Sequence, residues 1–415
     1  MSRRLVLYED RHWRSLRPLT DLLPVPALAF GASDLARRWL ASARLPLAAI
    51  EARTGAIAGW HEAPALDATP ATASDEAIVV NAAALPGAWF EVALEWRSPA
   101  LWLADGRIAG ARLPHASLRG GLGRGEDFET VLLGLALPAL SVDAAFITWP
   151  WELVARNADA IAADLARMTP AVKGAVHRLA CLESPERILI EEGATVGPFA
   201  VLDAAAGPIL VSRGASIDAH SVVRGPCVVG RGTQLLGGVV SGSTFGPECR
   251  VAGEVEASVW QGYANKRHHG FVGHSVIGEW VNLGALTTTS DLKNNYGNVR
   301  VWVDGHEVDS GSPKVGAFVG AHVKTGIGSL LPTGASVGTG ANLFGGGRFA
   351  PKQIASFAWW DGERFLEHEL ERCVATARVA MGRRERVLAP AAEAALRALH
   401  GATARERRAA SSSAA

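Results

Sequence analysis

The chain has 415 residues, with 41 Lys and Arg against 41 Asp and Glu, 45 Gly and only four Cys. This length predicts two or three domains at roughly 150 residues each. Zero formal charge disfavours nucleic acid or an anionic membrane as the main partner, because both require a basic excess. No uncharged apolar run approaches the ~20 residues of a membrane span, and no signal peptide is recognisable. The sequence therefore predicts a soluble, cytoplasmic protein.

Residues 1–182 show short apolar runs that alternate with helical patterns. The apolar runs are residues 5–8, 78–80 and 101–103, and the helical patterns are residues 34–40 and 152–168. Strands that alternate with helices are typical of an α/β domain.

The next region, residues 183–350, carries a six-residue repeat. An aliphatic residue recurs every six positions, at Ile190, Val196, Leu202, Val211, Ile217, Val223, Val229, Leu235, Phe245, Val251, Phe271, Ile277, Leu283, Val319, Leu331, Val337 and Leu343, with Thr325 as a polar occupant. The fifth position of each repeat is small, at Ala194, Ala200, Ala215, Ser221, Cys227, Thr233, Cys249, Ser275, Ser329, Ala335 and Ala341. Aliphatic residues inside a three-sided coil and small residues at its corners predict a left-handed parallel β-helix of roughly six to seven coils.

Two stretches break this register, residues 237–270 in part and residues 288–315. Insertions in a solenoid project as loops, where binding often occurs. Residues 351–400 contain apolar residues at helical spacing, which predicts a C-terminal helix of about five turns from Leu366 to Met381. Residues 401–415 lack apolar anchors and are predicted to be a disordered tail.

The four cysteines show no C-x-x-C spacing. Cys227 and Cys249 fall in small inward positions and Cys373 lies on the helical face. They are interpreted as reduced residues of the core.

Residues 253–298 are rich in His, Asn, Lys and Tyr. The stretch V-N-L-G-A at 281–285 resembles the V-N-[IL]-G-A-G-T stretch of the bifunctional N-acetylglucosamine-1-phosphate uridyltransferase / glucosamine-1-phosphate acetyltransferase family. The motifs G-E-V-E, N-K-R-H-H-G-F-V-G-H-S, W-V-N-L-G-A and S-D-L-K-N-N-Y-G resemble those of a divergent subgroup of sugar nucleotidyltransferases related to that enzyme. L-R-P-L-T at 16–20 and P-W-E-L-V at 150–154 extend the resemblance over nearly the whole chain.

The resemblance implies acetyl-CoA-dependent N-acetyl transfer to an amino-sugar 1-phosphate in the β-helix. It places His268 on the family's catalytic histidine and Asn282 on its sugar-contacting asparagine. A neutral imidazole can accept the proton that an attacking amine loses. Because CoA lies between adjacent prisms in the relatives, a homotrimer is implied. The alternatives are a solvated loop for His268 and an asparagine ladder for Asn282.

Several cations are candidates for binding phosphate. Lys266 and Arg267 could hold the phosphate of a sugar 1-phosphate, or they could be exposed cations without a role. Lys324 and Lys293 could face the phosphates of CoA. Arg17 could bind phosphate or form a structural ion pair.

The sequence predicts no metal site in the β-helix. His268, His269 and His274 are close in sequence, but no carboxylate or Cys accompanies them at a useful spacing. His274 and His322 are interpreted as structural or edge residues.

Two departures from the family pattern leave the acceptor sugar open. Leu286 replaces a Gly, and Phe271 replaces a Tyr whose hydroxyl contacts sugar phosphate in the family.

The N-terminal region lacks the family's Gly-rich L-x-x-G-x-G-T-R-M loop, which predicts a shortened nucleotidyltransferase-like domain. Asp105 could hold Mg²⁺ there, or it could belong to a turn. Two alternative functions remain, NTP-dependent nucleotidyl transfer to a sugar 1-phosphate in residues 1–182, and a non-catalytic trimer that binds a sugar nucleotide.

Overall fold

The computed structural model describes residues 2–72, 74–118 and 120–413. The chain divides into two compact units. Unit 1 holds most of the first 148 residues, and unit 2 holds residues 17–21, 29–32 and 149 onward. The predicted domain boundary at residue 182 therefore lies inside unit 2, because the helices of residues 150–165 belong to that unit.

A six-stranded mixed sheet forms the centre of unit 1. Its strands, in spatial order, are Leu47–Glu51, Arg3–Tyr8, Glu76–Asn81, Arg107–Pro114, Ala100–Ala104 and Ala139–Ser141. The first three are mutually parallel, and Arg107–Pro114 runs antiparallel to both of its neighbours. All three predicted apolar runs lie on strands of this sheet, and their side chains are almost entirely buried.

Four α-helices accompany this sheet in unit 1. They are α1 (Leu35–Ala43), α2 (Thr54–Ala58), α3 (Ala88–Glu95) and α4 (Phe128–Gly134), with 3-10 turns at Arg11–Leu16, Val25–Ala27, His115–Leu118 and Gly125–Asp127 and a short strand at Ser33–Asp34. Asp34 caps α1, because its carboxylate accepts a hydrogen bond from the backbone N–H of Arg37 at 2.7 Å. The predicted α/β organisation of the N-terminal region is confirmed.

Unit 2 is built on a parallel β-helix that matches the left-handed type. One face is a continuous nine-stranded parallel sheet of Ile188–Ile190, Ile209–Val211, Cys227–Val229, Thr244–Phe245, Val259–Trp260, Val276–Ile277, Phe318–Val319, Ser336–Val337 and Gln353–Ile354. The strands on the other faces are Ala175–Val176, Cys181–Glu183, Thr195–Val196, Val201–Asp203, Ser216–Ile217, Ser221–Arg224, Gln234–Ser241, Arg250–Glu256, Asn265–Lys266, Phe271–Gly273, Thr288–Thr289, Lys324–Thr325, Leu330–Leu331, Asn342–Leu343, Ala358–Trp360 and Phe365–Glu367. The prediction of six to seven coils was too low, because coils also form at the ends and across the register breaks.

The predicted interior of the β-helix is confirmed with one correction. Every small corner residue and every aliphatic residue of the repeat except Phe271 is buried. Phe271 is only partly buried, and the adjacent Val272 takes the inward position, where it pairs with Val255. Backbone irregularities near Gly253 and Gly270 shift the register by one residue at this coil, which the six-residue spacing does not reveal.

Several segments lie outside the β-helix sheets. Residues 288–315 contain an antiparallel hairpin of Arg300–Val303 and His306–Asp309, which confirms an insertion there. Helices α5 (Pro150–Ala155) and α6 (Asn157–Leu165) precede the coils, and the short strand Ala29–Phe30 and the 3-10 turn Pro185–Arg187 also belong to unit 2.

Three helices follow in the described part of the chain, α7 (Leu370–Gly382), α8 (Pro390–Ala402) and α9 (Ala404–Ser413). Helix α7 confirms the predicted C-terminal helix, although Leu366 belongs to the preceding strand. The tail predicted to be disordered is helical over α9, where the buried Arg407 donates hydrogen bonds to Thr403 Oγ1 at 2.8 Å and to the Ser356 carbonyl at 3.4 Å.

Trp260 is fully buried inside the coils, and its ring centroid lies 5.9 Å from that of Phe245. We expect Trp260→Ala to lower the free energy of unfolding by about 3–5 kcal/mol, because the surrounding coils cannot collapse into the cavity. Denaturant unfolding measures this effect. Val387→Ala, at a side chain that is 80% exposed, is the control and should change stability little.

Candidate active site

A groove of about 490 Å3 runs along the β-helix beside helix α7. Its lining includes His268, Arg267, Asn282 and Lys324, four of the residues singled out from the sequence. Within the part of the chain that the structure describes, no acidic side chain lines the groove, whereas five cations do, namely Arg250, Arg267, Lys324, Arg383 and Arg384. The groove is therefore suited to an anionic ligand.

The floor of the groove is a column of outward-facing polar residues on successive coils. Arg250 pairs with Asn265, Asn265 with Asn282, and Asn282 with Lys324. Stacked strands lie about 4.8 Å apart, so these three steps span roughly 14 Å. The regular coil thus sets four polar groups at fixed intervals along one line.

His268 and Arg267 are exposed side chains that line the groove immediately after the strand Asn265–Lys266. The His268 side chain is therefore accessible to a ligand in the groove. The role of a base that the sequence suggests for it stays a prediction.

Asn282 is partly buried, and its Oδ1 accepts a hydrogen bond from Asn265 Nδ2 at 2.7 Å. This bond is the asparagine ladder that the sequence left open. The Nδ2 of Asn282 is not used by this bond, so ladder membership and sugar binding are compatible.

Lys324 lies at the end of the floor column. Its Nζ donates hydrogen bonds to the carbonyls of Trp280 at 2.7 Å and His322 at 3.2 Å. Burial lowers the pKa of Lys324 to about 8. Lys324 is therefore anchored to the coil, and a ligand phosphate would have to compete with two carbonyl oxygens.

Lys266 differs most from its expected role. The sequence suggested an exposed phosphate-binding cation, but Lys266 is fully buried and pairs with Val251 in the inward column of the β-helix. Its Nζ donates a hydrogen bond to the carbonyl of His268 at 2.7 Å, and burial lowers its pKa to about 8. Lys266 cannot reach a ligand in this position, but it holds the backbone of the residue proposed as the base.

An aromatic stack borders the groove at the neighbouring corner. The rings of Tyr263 and Trp280 stack with centroids 4.3 Å apart, and the ring of His322 continues the stack at 6.5 Å from Trp280. Met381 of α7 packs against Tyr263 and Trp280. This packing holds α7 against the coils. His322 is part of the stack, in agreement with its interpretation as a structural residue.

The remaining candidate cations lie outside this groove. Arg17 forms ion pairs with Asp21 at 2.7 Å, Glu406 at 2.9 Å and Asp304 at 3.1 Å, which agrees with the ion-pair alternative. Lys293 donates a hydrogen bond to the carbonyl of Asn298 in the insertion and does not line the groove with Lys324.

His274 has a carboxylate partner that the sequence analysis did not identify. Its Nδ1 lies 2.7 Å from Asp291 Oδ2. Burial raises the pKa of Asp291, but the hydrogen bond and charge of His274 lower it by more. The pKa of Asp291 therefore lies below its usual value. The pair joins the coil to the insertion, as expected of a structural histidine.

In unit 1, two acidic residues follow the strand Arg3–Tyr8. Glu9 forms an ion pair with Arg53 at 2.7 Å, and Asp10 forms one with Arg107 at 2.6 Å. Burial raises the pKa of Asp10, but hydrogen bonds from His12 and Arg107 hold it well below its usual range. Both carboxylates are buried and already paired.

Asp105 occupies the exposed turn between the strands Ala100–Ala104 and Arg107–Pro114, with a positive φ of 52°. This confirms the turn interpretation. In the described parts of the chain, no three His, Cys, Asp or Glu side chains are grouped as a metal site. In unit 1, the carboxylate oxygens of Glu9 and Asp10 already accept hydrogen bonds from protein donors, so this arrangement does not fit a Mg²⁺ site.

Comparisons with known proteins agree with the resemblance seen in the sequence. Residues 5–172 match the sequence model of the family described as sugar nucleotidyl transferase. A bifunctional sugar-1-phosphate nucleotidylyltransferase/acetyltransferase from Sulfurisphaera tokodaii is 40% identical over 93 residues, which are 22% of this chain and 23% of that protein. The match thus spans about a quarter of that relative's length.

Among the described helices, none has the length and apolar character needed to cross a bilayer. The β-helix and the two comparisons agree with one another. Residues 5–172 are similar to the sugar nucleotidyl transferase family, and a left-handed parallel β-helix follows them in the chain.

Proposed function

We propose that the protein is a transferase that moves the acetyl group of acetyl-CoA to the amine of an amino-sugar 1-phosphate in the groove beside α7. The observation that carries this proposal is the exposed His268 in a groove whose described lining has five cations, only one of which, Arg250, pairs with a neighbouring carboxylate, that of Glu248. Both substrates are anions, and the reaction needs a base. The name of the Sulfurisphaera tokodaii relative also includes an acetyltransferase activity.

The chemistry requires one proton acceptor. The amine nitrogen attacks the thioester carbonyl, the new C–N bond forms, the C–S bond breaks, and CoA leaves as its thiolate. His268 takes the proton that the amine loses. Asn282 can donate a hydrogen bond to a sugar hydroxyl, and Arg267 and Lys324 supply positive charge for phosphate groups.

We also propose that the active form is a homotrimer. Leu286, Ile327 and Phe344 lie on successive coils at one corner and are 58%, 72% and 67% exposed. Exposed apolar side chains on neighbouring coils favour a protein interface. His268 lies near this corner in space, since the carbonyl of the adjacent His269 accepts a hydrogen bond from the Leu286 N–H at 2.9 Å. A sedimentation experiment should give the mass of three chains, and a monomer would contradict the trimer.

Thioester loss from acetyl-CoA tests the transfer reaction. The full chain is incubated with acetyl-CoA and a panel of amino-sugar 1-phosphates, and free CoA thiol is measured. Thiol release that depends on the amino sugar supports the proposal. Tight binding of sugar nucleotides without turnover of any substrate would favour the non-catalytic trimer instead.

Nucleotidyl transfer from an NTP to a sugar 1-phosphate is the second candidate, because residues 5–172 match the sugar nucleotidyl transferase family. The ion-paired Glu9 and Asp10 count against it. Pyrophosphate release by the full chain with NTPs, Mg²⁺ and sugar 1-phosphates tests it. If release occurs and the His268→Gln variant keeps it, the reaction belongs outside the β-helix groove.

A further inference from the structure

Three arginines meet at one end of the groove, and the sequence analysis assigned a role to none of them. Arg250 begins the floor column, while Arg383 and Arg384 directly follow helix α7. All three line the groove. They come from segments more than 130 residues apart, so the packing of α7 against the coils brings them together.

Arg250 is held in a fixed position. Its Nη1 donates hydrogen bonds to the carbonyls of Gly232 at 2.9 Å and Cys249 at 3.0 Å, and its Nη2 contacts the Glu248 carboxylate at 3.1 Å. The guanidinium is therefore pre-organised, and binding an anion there would cost little side-chain entropy.

Arg384 lacks equivalent partners. Its Nε is buried and has no acceptor among the described residues. The Arg384 Nη1 makes a long contact of 3.5 Å to the carbonyl of Arg383. Burial and the like charge of Arg250 lower the pKa of Arg384. A buried donor without an acceptor is costly, and an anion placed between the two guanidinium groups would satisfy it.

We infer that Arg250, Arg383 and Arg384 form a subsite for a phosphoryl group of the ligand. Among the described residues, Glu248 is the carboxylate that lies beside these cations, so three positive charges face one negative charge. Guanidinium groups bind phosphate oxygens in a bidentate manner. A phosphoryl group also carries more negative charge than a carboxylate, so it is the better match for this cluster.

The subsite rests on the proposed function for the identity of its ligand. Arg250 lies one coil from Asn265 and two coils from Asn282, or about 5 and 10 Å along the column. The phosphoryl group could therefore belong to the amino-sugar 1-phosphate or to the diphosphate of CoA. Both have the same chemistry at this point, and binding experiments can separate them.

The test is calorimetric titration of the full chain with inorganic pyrophosphate, CoA and glucosamine 1-phosphate. Arg384→Gln and Arg250→Gln should weaken pyrophosphate binding by about 10- to 100-fold, because each removes charged hydrogen bonds. The substrate whose affinity falls in parallel is the one that supplies the phosphoryl group. Arg372→Gln is the matched control, since Arg372 lies on α7 with a 79% exposed side chain and does not line the groove.

Unchanged affinity for all three ligands in both variants would overturn the subsite, as would a wild-type protein that binds none of them. Arg384→Lys should recover part of the affinity if charge is the cause. Thermal unfolding of each variant excludes misfolding as the explanation. If pyrophosphate binding depends on Arg384 but no acetyl transfer occurs, the subsite stands and the proposed function fails.

Discussion

His268→Gln is expected to lower kcat for acetyl transfer by roughly 10²- to 10⁴-fold, the usual contribution of a general base. The imidazole is exposed, so its replacement removes little packing and should leave the unfolding temperature unchanged. The affinity for CoA should change little, because the proposed role concerns the proton of the amine. Steady-state kinetics with acetyl-CoA and the best amino-sugar 1-phosphate measure the effect.

His269→Gln is the matched control for this prediction. His269 is also exposed and lies next in the chain, but it does not line the groove. Its variant should keep wild-type kcat. Equal losses in the two variants would show that the loop, rather than the His268 side chain, is required, and an undiminished kcat in His268→Gln would remove it as the base.

Lys266→Met is expected to stabilise the protein and to lower its activity. At pH 7 the folded state holds the Lys266 ammonium inside the apolar column, where among the described residues it donates a hydrogen bond to the His268 carbonyl. One pKa unit corresponds to about 1.4 kcal/mol, so relief of this burial should raise the free energy of unfolding by about 2 kcal/mol after the lost hydrogen bond is allowed for. Because the His268 backbone also loses its anchor, kcat should fall by about 10-fold.

The stability gain should depend on pH in a defined direction. The pKa of Lys266 is lowered from 10.5 to about 8 in the folded protein. Between pH 8 and 10.5 the folded wild type loses this proton while the unfolded chain keeps it, so wild-type stability rises with pH. The advantage of Lys266→Met should therefore shrink across this window.

Chemical denaturation at pH 7, 9 and 10.5 measures the dependence. Lys314→Met, at a lysine with a 48% exposed side chain, is the control and should show no such change. A Lys266→Met protein that is less stable than wild type at pH 7 would show that the hydrogen bond outweighs the burial of charge.

The six-residue repeat made the β-helix predictable from the sequence. Each coil places an aliphatic residue inside and a small residue at the corner, so the pattern repeats in the chain wherever the coil is regular. The pattern failed where the coil changes length. At Gly253 and Gly270 the backbone takes positive φ angles, the register shifts, and Val272 replaces Phe271 inside.

The same irregularity concealed the location of Lys266. The chain reads N-K-R-H-H, in which a lysine beside an arginine is typical of a solvated loop, and only the pairing with Val251 shows that Lys266 points inward. Similarly, Arg383 and Arg384 look like ordinary charges after a helix. Their contribution depends on how α7 packs on Tyr263 and Trp280, a long-range contact that no local pattern encodes.

A crystal structure of the full chain with CoA and glucosamine 1-phosphate tests the central claim most directly. The account predicts both ligands in the groove beside α7, with the amine nitrogen within about 3 Å of an imidazole nitrogen of His268 and a phosphoryl group on Arg250 and Arg384. Ligands bound away from this groove, or an amine that the His268 ring cannot reach, would contradict it.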